Sequence, residues 1–440
     1  MTTLTIWGGA GEHGRSSYLL QDKDRRSGIL LDCGVKKVGQ GEYPLFDPDI
    51  IPHLQAVFLS HAHEDHSIAL PLLYKHGYTG KVWTTKATVQ QLPCYFDTWE
   101  KYAAAQSIQL PYEEKDKNAI QFMYLEEHVS SLTWLTIAPN LRIQWGRSGH
   151  LTGAVWLALE WNGKSVFFSG DYTEESQLLT SDSPNLLFRS TAHGKAIKAD
   201  LSIIDAAYGS DPDLQSSKLL QLESAISSTL QSGGSVLLPV PVYGRSQELI
   251  VWASERFPDH SLVVEAALLA PLQELITGSE WLQKDALKRI DALFNSKNLC
   301  IVSTPAERSK SLQNLKKGIL FTNDGMMQSP KAQWYFRALS AYPSNHVIFT
   351  GHLAAGSFGH TLLQQPELEI PSDVLCKVSR IRYKVHQGLP DIRQMLRSVP
   401  SHRTVLVHAP KPHIDHVISI LEGEGFKGLY SLLPGSTLTF

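Results

Sequence analysis

The chain has 440 residues, 42% hydrophobic and 19% charged, which supports buried cores and excludes a disordered or low-complexity polymer. Its 40 Lys and Arg against 43 Asp and Glu leave a formal net charge of -3, so bulk attraction to a polyanion is excluded and any nucleic-acid contact needs a local basic groove. Length alone favours two domains.

Cys33, Cys94, Cys300 and Cys376 are scattered without a CxxC pair or disulfide spacing, and read as small buried hydrophobes. The first residues carry no basic region followed by an apolar core. No uninterrupted apolar run approaches the ~20 residues of a membrane span. A cytoplasmic protein without a membrane anchor is the expectation.

Short β-branched runs predict strands over 56–60, 165–169, 201–204, 235–238, 319–322, 346–349 and 404–407. Helical periodicity covers 216–232, where Leu219, Leu220, Ile226 and Leu230 form one stripe that Gly233 and Gly234 stop. Further helices are predicted over 390–399 and 413–421, the last closed by Gly423. The alternation gives an α/β fold class. Several strands end in a chemically capable residue: His61, Asp171, Asp205 and His408. Ligands collect at the carboxyl ends of strands in such sheets, so these residues point to one composite site.

Among the 18 histidines, the run His61-Ala62-His63-Glu64-Asp65-His66 stands out directly after a predicted strand. Three imidazoles and one carboxylate so close together strain around a single tetrahedral ion, but divide readily between two. Nitrogen and carboxylate oxygen without thiolate suit hydrolytic zinc, or manganese, with a position left open for water. His150 between Gly149 and Gly153, Asp171 after a strand and His408 after the last strand supply further donors.

These residues resemble the metallo-β-lactamase superfamily. Asp32 resembles its first motif, His61, His63, Asp65 and His66 the second, His150 the third and Asp171 the fourth. Later segments resemble the β-CASP nucleases within it. Asp205-Ala206-Ala207-Tyr208-Gly209 is similar to motif A, and Gly244-Arg245-Ser246-Gln247-Glu248-Leu249 to the group's helix start. Asp324-Gly325-Met326 and Thr350-Gly351-His352, with Gly356-Ser357, resemble its glycine-bearing segments. Tyr383-Lys384-Val385-His386 is similar to motif B and Val407-His408 to motif C. Within the group the chain resembles the 3′-end-processing endonuclease of the cleavage and polyadenylation machinery and its prokaryotic relatives. Two positions depart from the pattern: Asp205 replaces a frequent Glu, and His352 a frequent Tyr.

The resemblance implies an αββα metallo-β-lactamase sandwich with an inserted α/β β-CASP cap. The cap falls at 210–377, between core segments 1–209 and 378–440, with the active site in the cleft between them. It implies two zinc ions, one on His61, His63 and His150, the other on Asp65, His66 and His408, with Asp171 bridging and Asp32 orienting a ligand imidazole. Asp65 thus serves both metal and catalysis. His386, held by Asp205, meets the scissile phosphate or protonates the leaving oxygen.

Amides near Gly325 and Gly356, with Ser357, are expected to cradle a neighbouring phosphate. Arg245 serves either a phosphate or the cap's own packing. Arg380, Arg382 and Lys384 alternate along a strand-like stretch, as a phosphate track or as a solvated basic face. A motif C histidine accompanies RNA substrates in the group, so the implied activity is RNA hydrolysis, endonucleolytic rather than from the 5′ end. DNA cleavage, small-molecule hydrolysis and a catalytically silent RNA-binding scaffold are the rival readings. Because the metal-site pattern starts close to Met1, RNA capture is expected to fall to the cap or to a partner, and a homodimer or RNA-processing partner proteins are the expected partners.

Overall fold

Runs without polar interruption become strands covered on both sides. In a computed structural model of the chain, which describes residues 2–22, 27–185, 198–315, 317–354, 356–364 and 374–440, every residue of Ser17–Gln21 and Gly28–Leu31 is buried. The chain divides into two compact units. One comprises Met1–Glu174, Thr180–Pro212 and His386–Phe440; the other comprises Glu175–Leu179 and Asp213–Val385. These divisions lie three residues after the expected 209/210 boundary and eight after the expected 377/378 boundary. Tyr383 and Lys384 go with the second unit because their side-chain partners, Glu248 and Glu175, lie there.

The first unit holds two seven-stranded sheets. One runs in the order Thr437–Thr439, Thr3–Gly8, Ser17–Gln21, Gly28–Leu31, Leu54–Phe58, Val82–Thr84, Phe122–Tyr124. The other runs Leu429–Tyr430, Ser401–Val407, Ala199–Asp205, Lys164–Phe168, Val155–Trp161, Leu141–Arg147, Leu135–Ala138. Period-two alternation splits each strand between two apolar layers. On the first sheet Leu19, Leu30 and Val57 face outward onto Leu70 and Leu73 of helix Leu70–Lys75 and Leu92, Phe96 and Trp99 of helix Lys86–Ala105. On the second, Phe167, Ile204 and Leu406 face helices Leu389–Ser398 and Lys411–Gly423 through Ile392, Met395, Ile414 and Val417. The alternate residues meet between the sheets, where the rings of Tyr18 and Phe168 lie 5.6 Å apart. Helix, sheet, sheet and helix stack in that order.

Register brings the strand ends together. Strands Lys164–Phe168, Ala199–Asp205 and Ser401–Val407 are parallel neighbours, with Phe168 beside Ile203 and Asp205 beside Val407. Asp171, Asp205 and His408 therefore emerge at one edge. In the facing sheet, parallel pairing of Leu31 with Phe58 brings Asp32 and the loop of His61 out at common height.

The second unit is a six-stranded, wholly parallel sheet in the order Leu299–Val302, Ser261–Glu265, Gly318–Asn323, Val236–Val240, His346–Phe349, Lys377–Arg380. Parallel pairing demands helical crossovers, and helices such as Arg245–Arg256 and Pro330–Ser340 supply them. Leu237, Val263, Leu320 and Val347 pack on Tyr335, Phe336 and Leu339 of the second of these.

Backbone hydrogen bonds help to fasten the histidine-rich loop. The amides of Ser16, Cys33 and Val35 donate to the carbonyls of Asp65 (2.7 Å), His66 (2.7 Å) and Glu64 (3.0 Å). This crossing leaves no room for a side chain at Gly34, whose added Cβ would lie 1.8 Å from the Asp65 carbonyl oxygen. Gly34→Ala is therefore expected to displace residues 64–66, lowering stability by about 1–3 kcal/mol or more and emptying the metal-ligand cluster. Thermal melting and metal analysis of the purified variant check this; a wild-type Tm with full metal content would contradict it.

Candidate metal centre

Four donors converge at the mouth of the first unit. His61 Nε2 and His150 Nε2 each lie 3.1 Å from His63 Nδ1, and Asp171 Oδ2 lies 3.4 Å from His61 Nε2 and 3.5 Å from His150 Nε2. Donors at about 2.0 Å from a tetrahedral ion stand about 3.3 Å from one another, so this spacing fits a metal. A hydrogen-bonding imidazole cluster does not explain it as well, since His63 Nδ1 would need to serve two ring partners at once.

A second group lies against the first. His408 Nε2 is 3.0 Å from Asp65 Oδ2, and His66 Nε2 is 3.8 Å from that same oxygen. Asp171 reaches both groups: its Oδ1 lies 3.4 Å from His66 Nε2, while Oδ2 faces His61 and His150. The donor set is all imidazole and carboxylate, which suits a divalent ion.

The far side of each ring fixes its tautomer. His66 Nδ1 donates to Asp32 Oδ2 at 2.6 Å, which leaves Nε2 bare toward Asp65 and Asp171. Asp32 also accepts the Ser60 amide and hydroxyl, both at 2.7 Å. The Ser60 oxygen then accepts His61 Nδ1 at 3.0 Å, so one buried carboxylate orients two rings, the second through a serine. Sequence reasoning missed Ser60. Its signal was its place between the strand end and His61, which a lone serine does not advertise. Backbone strain accompanies the site, since Asp32 (φ 58°) and His408 (φ 69°) both sit in the left-handed region. The His150 loop is held from below, where Thr85 and Thr88 hydroxyls donate to the Gly153 carbonyl at 2.8 and 3.0 Å.

The electrostatics favour positive charge here. Burial alone would lower the His66 and His408 imidazoles, but the carboxylates of Asp171 and Asp65 outweigh it and carry them up to about 9 and about 10. Burial would likewise raise Asp65, and His66 and His408 instead hold it well below the usual carboxylate range. His61, buried among other imidazoles, is pushed the opposite way, well below its ordinary value. A divalent ion satisfies the same field while displacing those protons.

Beside this cluster His386 Nδ1 lies 3.0 Å from Asp205 Oδ2 and 3.7 Å from Asp171 Oδ2. Burial opposes charge on Asp205, but His386 and the Ala207 amide (2.9 Å) hold its carboxyl below the ordinary value. An ionised Asp205 makes Nδ1 the donor, leaving His386 Nε2 for another partner. His386 is flanked by Tyr208, with ring centres 5.2 Å apart, and by His408, also at 5.2 Å.

The remaining sequence candidates belong to the second unit, at or beyond the carboxyl ends of its sheet. Gly325 follows strand Gly318–Asn323, and Arg245 opens the helix after Val236–Val240. The Arg245 guanidinium donates to the Thr350 carbonyl at 3.0 Å and lies over Gly351, where an added Cβ would meet it at 2.4 Å. Arg380 Nε donates to the Gly351 carbonyl at 3.0 Å, so both arginines brace this loop. Ser357 is buried and its Oγ accepts the His360 amide at 3.2 Å, whereas space around Gly356 is open.

One expectation is corrected. The alternation that was to align Arg380, Arg382 and Lys384 stops with strand Lys377–Arg380. Lys384 is fully buried, its ammonium paired with Glu175 and its amide on Gln215 Oε1 at 2.8 Å. A buried lysine needs such a counter-charge, and this one belongs to neither a phosphate track nor a solvated face.

The chain matches a family model described as a beta-lactamase superfamily domain over residues 27–188 and one described as a Beta-Casp domain over 250–362. It is 28% identical over 393 residues to transcription termination factor FttA of Methanosarcina mazei, covering 84% of this chain and 58% of that protein. It is 26% identical over 410 residues to the probable RNase MJ4 of Methanocaldococcus jannaschii, covering 91% of each. It is 24% identical over 442 residues to cleavage and polyadenylation specificity factor 73 of Drosophila melanogaster, covering 94% of this chain and 61% of that protein. The chain thus spans about three fifths of the first and third of these relatives and nearly the whole of the second. Among the described residues, no helix is long and apolar enough to cross a membrane. The chain belongs to the β-CASP group of the metallo-β-lactamase superfamily.

Proposed function

We propose that this protein is a two-zinc ribonuclease that hydrolyses internal phosphodiester bonds of RNA, with manganese as the alternative ion. The observation that carries the reading is Asp171, one carboxylate shared by two ligand groups with the His386–Asp205 pair beside it. In this reading His61, His63 and His150 hold one ion, Asp65, His66 and His408 the other, and Asp171 bridges. Such ions, when bound, supply Lewis acidity toward the phosphodiester and toward the attacking water.

The chain's own groups do the rest. Asp205 accepts the His386 Nδ1 proton and so orients the ring; His386 in its imidazolium form, protonated on both nitrogens, gives its Nε2 proton to the leaving oxygen and returns to the neutral imidazole. Asp32 and Ser60 hold His66 and His61 in the tautomers that present Nε2. Within the second unit, amides at Gly325 and Gly356 serve as phosphate contacts, and Arg245 and Arg380 brace the Gly351 loop. RNA as substrate rests on the motif C histidine, His408, and on relatives whose names include a probable RNase and a cleavage factor.

End-labelled RNA, DNA of the same sequence and a thioester, each given to the metal-loaded protein, test the reading. Internal RNA fragments are expected, with the DNA and the thioester left intact. A mononucleotide ladder from the 5′ end would replace the endonuclease by an exonuclease, and inert RNA would overturn the reading. His63→Ala is expected to abolish cleavage and lose metal, since Nδ1 stands against two other donors. His386→Ala is expected to slow cleavage by about 10²- to 10⁴-fold at unchanged metal content; loss of metal from that variant would refute its assigned role. Ser60→Ala, which breaks the Asp32–Ser60–His61 chain, is expected to weaken metal binding by about 10- to 100-fold in competition with a chromophoric chelator. An unchanged affinity would remove Ser60 from the site.

A further inference from the structure

Residues Glu175–Leu179 belong with the second unit, although Glu174 before them and Thr180 after them belong with the first. Their anchor is Glu248, a buried carboxylate on helix Arg245–Arg256. It accepts the hydroxyls of Ser176 and Tyr383 and the amide of Gln177, the last at 3.1 Å. Gln283 Nε2 donates to the Ser176 carbonyl at 2.7 Å, and Gln215 N donates to Glu175 Oε1 at 2.7 Å. Lys384 pairs with Glu175 as well. One carboxylate and one ion pair thus cross-link two stretches of chain far apart in sequence.

Both stretches lead into the metal centre. Asp171 stands five residues before Ser176, and His386 three residues after Tyr383. The first stretch also grips the His150 loop on either side of its excursion. Thr173 N donates to the Ser148 carbonyl at 2.9 Å, and Asp182 Oδ1 accepts Arg147 Nη2 at 2.7 Å. Gly149 completes this packing, since a Cβ there would lie 2.2 Å from the Thr173 carbonyl oxygen.

We propose that Glu248 is a positioning residue for the reaction: by clamping Ser176, Gln177 and Tyr383 it sets the carriage of Asp171 and His386. The inference rests on the ribonuclease reading and names a residue outside the site that holds the chain segments leading to Asp171 and His386. A carboxylate suits the role because all three partners are donors and it offers acceptors only. Glu248→Gln keeps the volume but sets an N–H against one of these donors. Displacements of about 1 Å at a reacting centre cost about 10²-fold in rate, so even a partial slackening is measurable.

The test compares full-length, metal-loaded wild type with Glu248→Gln, Ser176→Ala and Tyr383→Phe, and each is also prepared with cobalt(II) to read the ligand field. For Glu248→Gln, kcat on RNA is expected to fall about tenfold or more with KM within about threefold, at full metal content, and the cobalt absorption bands to shift. The single-donor variants are expected to show smaller changes of the same kind, and they decide the matter if Glu248→Gln does not fold. Glu265→Gln removes a buried carboxylate of the same unit, bound by Arg308 (2.6 Å) and Tyr335 (2.7 Å), which has no such link to Asp171 or His386. It is expected to lower Tm without moving the cobalt bands. A wild-type spectrum and kcat in Glu248→Gln would overturn the proposal, as would an equal band shift in Glu265→Gln. If the wild type leaves RNA intact, the ribonuclease reading fails while the cobalt bands still decide the clamp.

Discussion

Asp171 is a buried carboxylate set against imidazoles on several sides, and the rest of the site is arranged around it. Its two oxygens face different ligand groups, Oδ2 toward His61 and His150 and Oδ1 toward His66. A buried carboxylate with no counter-charge is costly, and here either protonated His66 and His408 or divalent ions on the same donors balance it. Parallel register achieves the gathering. Neighbouring strands end at one height, and each contributes the residue that follows its last apolar position.

The same economy explains the layer around the donors. Asp32 accepts from His66 and from Ser60, and Ser60 accepts from His61, so a single acid sets two tautomers. Asp205 does for His386 what Asp32 does for His66. The structure places strain where these side chains must turn inward, at Asp32 and His408, and lets glycine take the closest backbone crossing, at Gly34.

Much of this was legible in the residues. Runs such as 201–204 and 404–407 are apolar on both faces, and strands Ala199–Asp205 and Ser401–Val407 stand over them. The H-x-H-x-D-H run needed no alignment to suggest metal, because its spacing has few other uses. Strand Thr3–Gly8 and helix Lys86–Ala105 were not singled out. The first interleaves threonines with its apolar residues and ends in glycine, and the second contains Pro93 and a broken apolar stripe. Lys384 misled because alternation assumes a strand that continues, whereas this one ends at Arg380. Ser60 and the excursion of Glu175–Leu179 left no pattern in sequence, since each acts through a partner far along the chain.

The central claim is that two ions share Asp171 within the first unit. Anomalous diffraction from a crystal of the metal-loaded protein, recorded on either side of the zinc edge, tests it most directly. The account predicts two peaks about 3.5–4 Å apart, one among His61, His63 and His150, the other among Asp65, His66 and His408, with Asp171 between them. A single peak, or two peaks that Asp171 does not join, would contradict it.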